Sequence, residues 1–191
     1  MRERWLFSYV VDHDLGYAPN PVGGLCTLAY CKFSQSGKRN LVEMAEEGDW
    51  VVGTGGQSHE SAGNGKLIYA MRVTRKIPLV RYLTSPQYAD RADRFENDQN
   101  THGRFALISN DFCYFGQNAI DVARIPSRHL THPFEKHGMA YRRDFSEAFI
   151  LDFEDWLRAE FTPGVHGEPC GGRPPHWNSR RRMPCRPRRV C

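Results

Sequence analysis

Apolar residues recur at alternate positions from Leu67 to Val73, where Leu67, Tyr69, Met71 and Val73 are interleaved with Ile68, Ala70, Arg72 and Thr74. A period of two is that of an extended strand, and Arg72 and Thr74 mark a wetter face near its end. The pattern predicts a half-buried strand. Residues 4–11, closed by the polar run Asp12-His13-Asp14, predict another, as do residues 25–32 and 104–109. Trp50-Val51-Val52 begins a further β-rich segment, entered through a turn at Gly48-Asp49 that follows a helix-compatible run at 41–47.

The period changes near the end of the chain. Phe145, Phe149, Ile150, Phe153, Trp156, Leu157 and Phe161 fall on one face at helical spacing. Asp144 with Glu147 resembles a capping box, and Pro163-Gly164 stops the helix. Its aromatic face is expected to pack on the sheet. Residues 15–24 carry two prolines and three glycines and predict an irregular loop. Residues 78–100 read as a helix or ordered loop, 97–103 as a long connection, and 117–143 show no dominant period. The elements add up to one α+β domain over residues 1–162, a strongly bent mixed sheet flanked by helices.

Composition agrees with a single core: 191 residues, 40% hydrophobic and 12% aromatic. The chain lacks an apolar run of membrane-spanning length, and its first residues lack a signal peptide's apolar region. A soluble cytoplasmic protein with no membrane partner is expected. Six unpatterned cysteines predict reduced thiols rather than a disulfide framework.

The net charge of +4 is unevenly distributed. From Pro163 onward there are seven arginines, no lysine and one acidic residue, Glu168, a net +6, so residues 1–162 carry −2. The 163–191 segment, rich in arginine and proline, is expected to be disordered. Arg182, Arg186 and Arg189 either contact nucleic-acid phosphate or belong to a solvated arm.

Between the strands at 50 and 67, Gly53, Gly55, Gly56, Gly63 and Gly65 permit close backbone approach, as a ligand loop would. Two phosphate motifs fail there. Gly53-Thr54-Gly55 is followed by Ser58 where a dinucleotide fingerprint needs glycine, and Gly65-Lys66 by Leu67 where a P-loop needs Ser or Thr. No cofactor is implied.

Five segments carry a family resemblance: residues 8–11; 14–21 (Asp-Leu-Gly-Tyr-Ala-Pro-Asn-Pro) running to 25–28 and 31–32; 48–55 (Gly-Asp-Trp-Val-Val-Gly-Thr-Gly); 67–74; and 107–116. Together they resemble the nucleotide modification associated domain family of the second type, over roughly residues 5 to 160. Asn110 stands where the family more usually has Asp, and Phe115 where Trp is common. The resemblance implies an association with phage or bacterial systems that make, recognise or process modified nucleotides. The hairpin around Gly48-Asp49-Trp50 is also similar to that of PUA-like domains, which adds a PUA-like β-barrel as a second form of the sheet.

A reader of a modified base needs an aromatic face, polar groups for the base edge and a closely approaching loop. Tyr17, Asn20, Trp50, Thr54, Tyr69, Asp111 and Tyr114 supply that set if the motifs converge; core packing is the competing role for Trp50 and Tyr69. An enzyme of the same pathway needs an acid, base or nucleophile. Asp12, His13 and Asp14 form a titratable cluster that Asp49 and Asp111 can join in space, with Asp12 and Asp14 on one face and His13 on the other. Cys31 beside Lys32 is a candidate thiol. His129, His132 and His137, and Cys170, His176, Cys185 and Cys191, match no zinc spacing, and no metal is expected.

Overall fold

Residues 67–71 contain no charged side chain, and the strand they form is buried on both faces rather than one. The computed structural model describes residues 2–29, 40–89, 91, 103–135 and 140–172. Its strands are β1 (Leu6–Val11), β2 (Cys26–Leu28), β3 (Trp50–Gly55), β4 (Lys66–Arg72), β5 (Arg75–Pro78), β6 (Phe105–Ser109), β7 (Asp111–Tyr114), β8 (Ile120–Asp121), β9 (Tyr141–Arg142) and β10 (Gly164–Val165). Among the described residues three α-helices accompany them: α1 (Leu41–Met44), α2 (Leu79–Thr84) and α3 (Glu147–Glu160).

Seven strands form one mixed sheet in the order β10-β7-β4-β3-β1-β9, with β8 paired to the far end of β4. β1 runs parallel to β3, and β3, β4 and β7 are successive antiparallel neighbours. A smaller sheet has the order β2-β6-β5. Among the described residues the large sheet does not close, so the open mixed sheet is observed and the closed barrel is not. The fold is α+β. No helix among the described residues is long and apolar enough to cross a membrane.

The double burial of β4 has a simple cause. On one face Phe7, Tyr9, Val51, Tyr69, Met71, Phe112 and Tyr114 meet Cys26 and Leu28 of β2, Leu107 of β6, and Leu41 and Val42 of α1. On the other, Leu6, Trp50, Val52 and Leu67 meet Phe149, Ile150, Phe153 and Leu157 of α3. Each fully buried side chain of this size stabilises by about 1.5–3 kcal/mol, so both layers hold β4 in place. The outer face of the small sheet is covered by α2 and the turn after it, through Ile77, Leu79, Tyr82, Tyr88, Ala106 and Ile108.

The terminal helix forms with its aromatic face inward, but its cap differs from the expected one. Ser146 accepts the Phe149 amide at 3.2 Å, whereas Asp144 is taken by Arg142 at 2.8 Å. A side chain already paired with a guanidinium is not free to cap.

The domain boundary also moves. Gly164 and Val165 pair with Cys113 and Tyr114 of β7, and the chain runs on through Gly172 in contact with the domain. The expectation of disorder from 163 therefore fails for residues 163–172, because unpaired backbone groups on β7 are satisfied there. The remainder, with Arg182, Arg186 and Arg189, lies outside the described residues.

Candidate functional site

Four strands place their residues in a single cross-strand row. Tyr9 on β1 is in register with Gly53 on β3, Gly53 with Tyr69 on β4, and Tyr69 with Tyr114 on β7. All three tyrosines lie on the face that looks toward the small sheet. At Gly53 a Cβ would stand 2.6 Å from both Tyr69 Cδ1 and Val11 Cγ2. Glycine is needed there because the Tyr69 ring lies over it, reaching Tyr9, whose hydroxyl accepts from Tyr69 at 2.8 Å. An isolated glycine inside a strand pattern is a sign of such close approach.

The row ends in a carboxyl group. Tyr114 donates to Asp14 Oδ1 at 2.6 Å, and the amide of Cys170 donates to Oδ2 at 3.0 Å. Gly171 N donates to the Asp14 carbonyl at 2.9 Å, so residues 164–172 form a strap latched onto this one residue. Burial raises the Asp14 pKa above the usual carboxylate range, although the bonds from Tyr114, Cys170 and Gly16 oppose the shift. The Tyr114 hydroxyl is pushed upward, first by burial and then by the Asp14 charge. The Cys170 thiol is pushed up to about 12, again chiefly by burial and then by Asp14. Burial favours the protonated form of each of these groups beside the aromatic rings.

The seven residues singled out in the sequence are divided among several places. Tyr69 and Tyr114 are neighbours in the row. Asn20 is buried at the edge of the small sheet, bridged to Thr27, with its carbonyl accepting from Arg91 at 2.9 Å. Tyr17 is half-buried in the loop between Asp14 and Asn20. Trp50 faces α3, edge-on to Phe153 with ring centroids 5.8 Å apart, which is its core-packing role. Thr54 donates to the Tyr9 carbonyl at 3.3 Å. Asp111 lies at the opposite end of β7, paired with Arg158 of α3 at 3.1 Å. The seven do not line one pocket; the sheet separates Trp50 from Tyr69 and Tyr114.

The titratable cluster is divided as well. Asp12 turns outward and accepts the amides of Gln57 and Ser58 at 3.0 and 3.1 Å. His13 meets Glu60 at 2.7 Å through Nδ1, and Ser58 Oγ is 3.4 Å from the same nitrogen, so the imidazole does not bridge hydroxyl and acid through its two nitrogens. Asp14 alone turns inward. Asp12 and Asp14 therefore do not share a site. Asp49 is also buried elsewhere, accepting from Trp5 N, Glu46 N and Arg2 at 2.9, 2.9 and 2.6 Å. It is the bracket that fixes the Gly48-Asp49 turn.

The glycine-rich loop uses its own freedom. The place of a Cβ on Gly55 is taken by the Gly63 carbonyl, and on Gly56 by the Asp12 carboxylate. The close approach seen there is chain on chain. Among the described residues no group of three or more His, Cys, Asp and Glu side chains is arranged to hold a metal. Cys31, His137, His176, Cys185 and Cys191 lie outside those residues.

Tyr9, the Asp14–Cys170 latch and Arg91 were not singled out from the sequence. A signal for Tyr9 existed in Gly53, whose missing side chain implies a large neighbour. The latch spans the chain and had none.

A family model described as Nucleotide modification associated domain 2 matches residues 3–101 and, in an overlapping second segment, 93–174. The second segment includes the strap. No curated protein matches the chain, and no solved structure does.

Proposed function

The chain belongs to the nucleotide modification associated domain 2 family, and from that premise we propose that it is a nucleotide or nucleic-acid binding module that recognises a modified base. The observation that carries the reading is the row Tyr9, Tyr69, Tyr114 and Asp14. It combines aromatic rings with hydroxyl and carboxyl groups whose protonated forms are favoured by burial, a chemistry suited to the uncharged edge of a heterocycle. Tyr17, half-buried in the adjoining loop, is the stacking candidate at its rim. The three tyrosines are covered in this structure, so access to the row requires one of the covering segments to move.

Binding is favoured over catalysis by where the acid and base groups lie. Among the described residues histidine meets carboxylate at or near the surface, at His13 with Asp12 and Glu60 and at His129 with Asp152, and the buried carboxyls Asp14 and Asp49 have no histidine partner. A second reading, an enzyme of a modified-nucleotide pathway, draws on Asp14 as a buried acid of raised pKa beside Tyr114. In either reading Arg182, Arg186 and Arg189 supply sequence-independent attraction to phosphate, and the protein works in the cytoplasm.

The test is a titration of the full chain with normal and modified nucleosides, nucleotides and single-stranded DNA at two salt concentrations, with products followed in parallel. Base-dependent binding that Tyr114→Phe and Tyr69→Phe each weaken several-fold, about 1 kcal/mol per lost hydrogen bond, is the expected result. Binding that ignores the base, or that neither variant changes, overturns the assignment. Product formation lost in Asp14→Asn moves the protein to the enzyme reading.

A further inference from the structure

On the outer face of the small sheet a guanidinium is buried without a counter-anion among the described residues. Arg91 is 4% exposed. Its Nη1 donates to the Asn20 carbonyl at 2.9 Å and to Thr27 Oγ1 at 3.0 Å, with Asn20 Oδ1 at 3.4 Å. Its Nη2 donates to the carbonyls of Val22 and Leu25. Every one of these acceptors is neutral. A guanidinium has five N–H donors, and these contacts, two of them sharing one Nη1 hydrogen, take up the four on Nη1 and Nη2, leaving Nε–H without a partner among the described residues.

A second group nearby is also left over. Tyr88 lies one turn before Arg91, whose amide donates to the Tyr88 carbonyl at 3.2 Å. The Tyr88 ring packs on Tyr82 with centroids 4.8 Å apart, and the Tyr82 hydroxyl meets Thr27 Oγ1 at 2.9 Å. Tyr88 is 1% exposed, and its hydroxyl has no hydrogen-bond partner among the described residues. Clamping the 20–27 turn explains the five Nη contacts. It explains neither an un-neutralised charge taken out of water, which ordinarily costs several kcal/mol, nor an orphan hydroxyl in the same cluster.

We infer that Arg91 and Tyr88 form an oxyanion site, taking a phosphate group either free or carried by a nucleotide. The anion neutralises the guanidinium and accepts from Arg91 Nε–H and the Tyr88 hydroxyl. Arg91 thus has two roles, holding the Asn20 turn through its outer nitrogens and meeting the ligand through the inner one. This site is separate from the tyrosine row, since Thr27 meets Tyr82 and Arg91 while its neighbours Cys26 and Leu28 pack on the opposite side of β2.

The experiment uses the full chain and inorganic phosphate as probe, read by thermal denaturation and by calorimetric titration, with chloride at matched ionic strength as control. Phosphate is expected to bind saturably and raise the Tm where chloride does not. Tyr88→Phe keeps the ring and removes only the hydroxyl, so it is expected to fold with unchanged or higher Tm and to bind phosphate about tenfold more weakly, the loss of one charge-assisted hydrogen bond. A nucleoside monophosphate that competes with phosphate where its nucleoside does not identifies the nucleotide as the source; competition by neither identifies free phosphate. Phosphate no better than chloride, or bound equally by the Tyr88→Phe variant, overturns the site.

Discussion

The hydroxyl of Tyr69 donates to that of Tyr9 at 2.8 Å across Gly53, the residue that stands between them in the sheet register. Two aromatic side chains on non-adjacent strands are joined because the intervening strand contributes no side chain. Gly53→Ala puts a methyl group 2.6 Å from both Tyr69 Cδ1 and Val11 Cγ2. The displaced ring breaks the hydroxyl pair, and the overpacking destabilises the protein by about 1–3 kcal/mol. Chemical denaturation of the variant measures this; a change within error of zero refutes the account of the row.

Asp14 governs a pH dependence whose sign is fixed by its environment. Its folded pKa is raised, so the native state holds the proton more tightly than the unfolded chain does. The stabilisation from that proton is complete below the unfolded value, about 3.9, and is lost as pH rises through the folded one. The wild type should therefore gain stability relative to Asp14→Asn as pH is lowered from neutrality through the raised pKa, and gain nothing further below about pH 4. Paired denaturation curves across that range check it, and parallel curves would remove Asp14 as a buried acid.

Asp49 and Asp111, two of the aspartates considered with Asp14, should differ in how much stability each supplies. Asp49 is fully buried and accepts from two backbone amides as well as Arg2. Asp49→Ala leaves Trp5 N and Glu46 N without acceptors and should cost about 3 kcal/mol. Asp111 pairs with the half-exposed Arg158, and Asp111→Asn should cost at most about 1 kcal/mol. Equal losses in a side-by-side denaturation would contradict these roles.

Trp50 offers a control for the binding face. Its Nε1 is buried without a partner among the described residues, and the ring packs on Phe153. Trp50→Phe removes the orphan donor together with some packing, two effects of opposite sign, for a net loss of no more than about 2 kcal/mol. Base binding should be unaffected, since the sheet separates this ring from Tyr69. Loss of binding in a folded Trp50→Phe protein would relocate the site to the α3 face.

Two truncations separate the strap from the basic segment. A chain ending at Thr162 loses β10 and the amides of Cys170 and Gly171 that hold Asp14, and its melting temperature should fall. One ending at Gly172 keeps those contacts, so its melting temperature should match that of the full chain. It should bind nucleic acid with a shallower salt dependence, having lost all seven arginines beyond Pro163.

What the sequence disclosed follows the range of the interactions involved. The α3 aromatics and the β4 alternation are local periodicities, and both elements formed where those patterns lie. The second burial face of β4 was not legible, because covering it requires β2, β6 and α1 from distant parts of the chain. The same holds for the site. Tyr69 and Tyr114 belong to the row, but Trp50 and Asp111 could be sorted from them only once the strand register assigned each to a face. The cap of α3 passed from Asp144 to Ser146 through a competing partner, Arg142, that spacing alone does not disclose.

The bond from Cys170 to Asp14 joins residues 156 positions apart. Contacts of such separation close the largest loops and are late to form. During synthesis the strands bearing Tyr9, Tyr69 and Tyr114, and the small sheet that covers them, emerge before the segment that latches Asp14, so the carboxyl end of the row is the last part to be closed. A nascent chain paused before residue 170 therefore holds Asp14 without its strap, and the order of translation sets when that end of the row becomes enclosed.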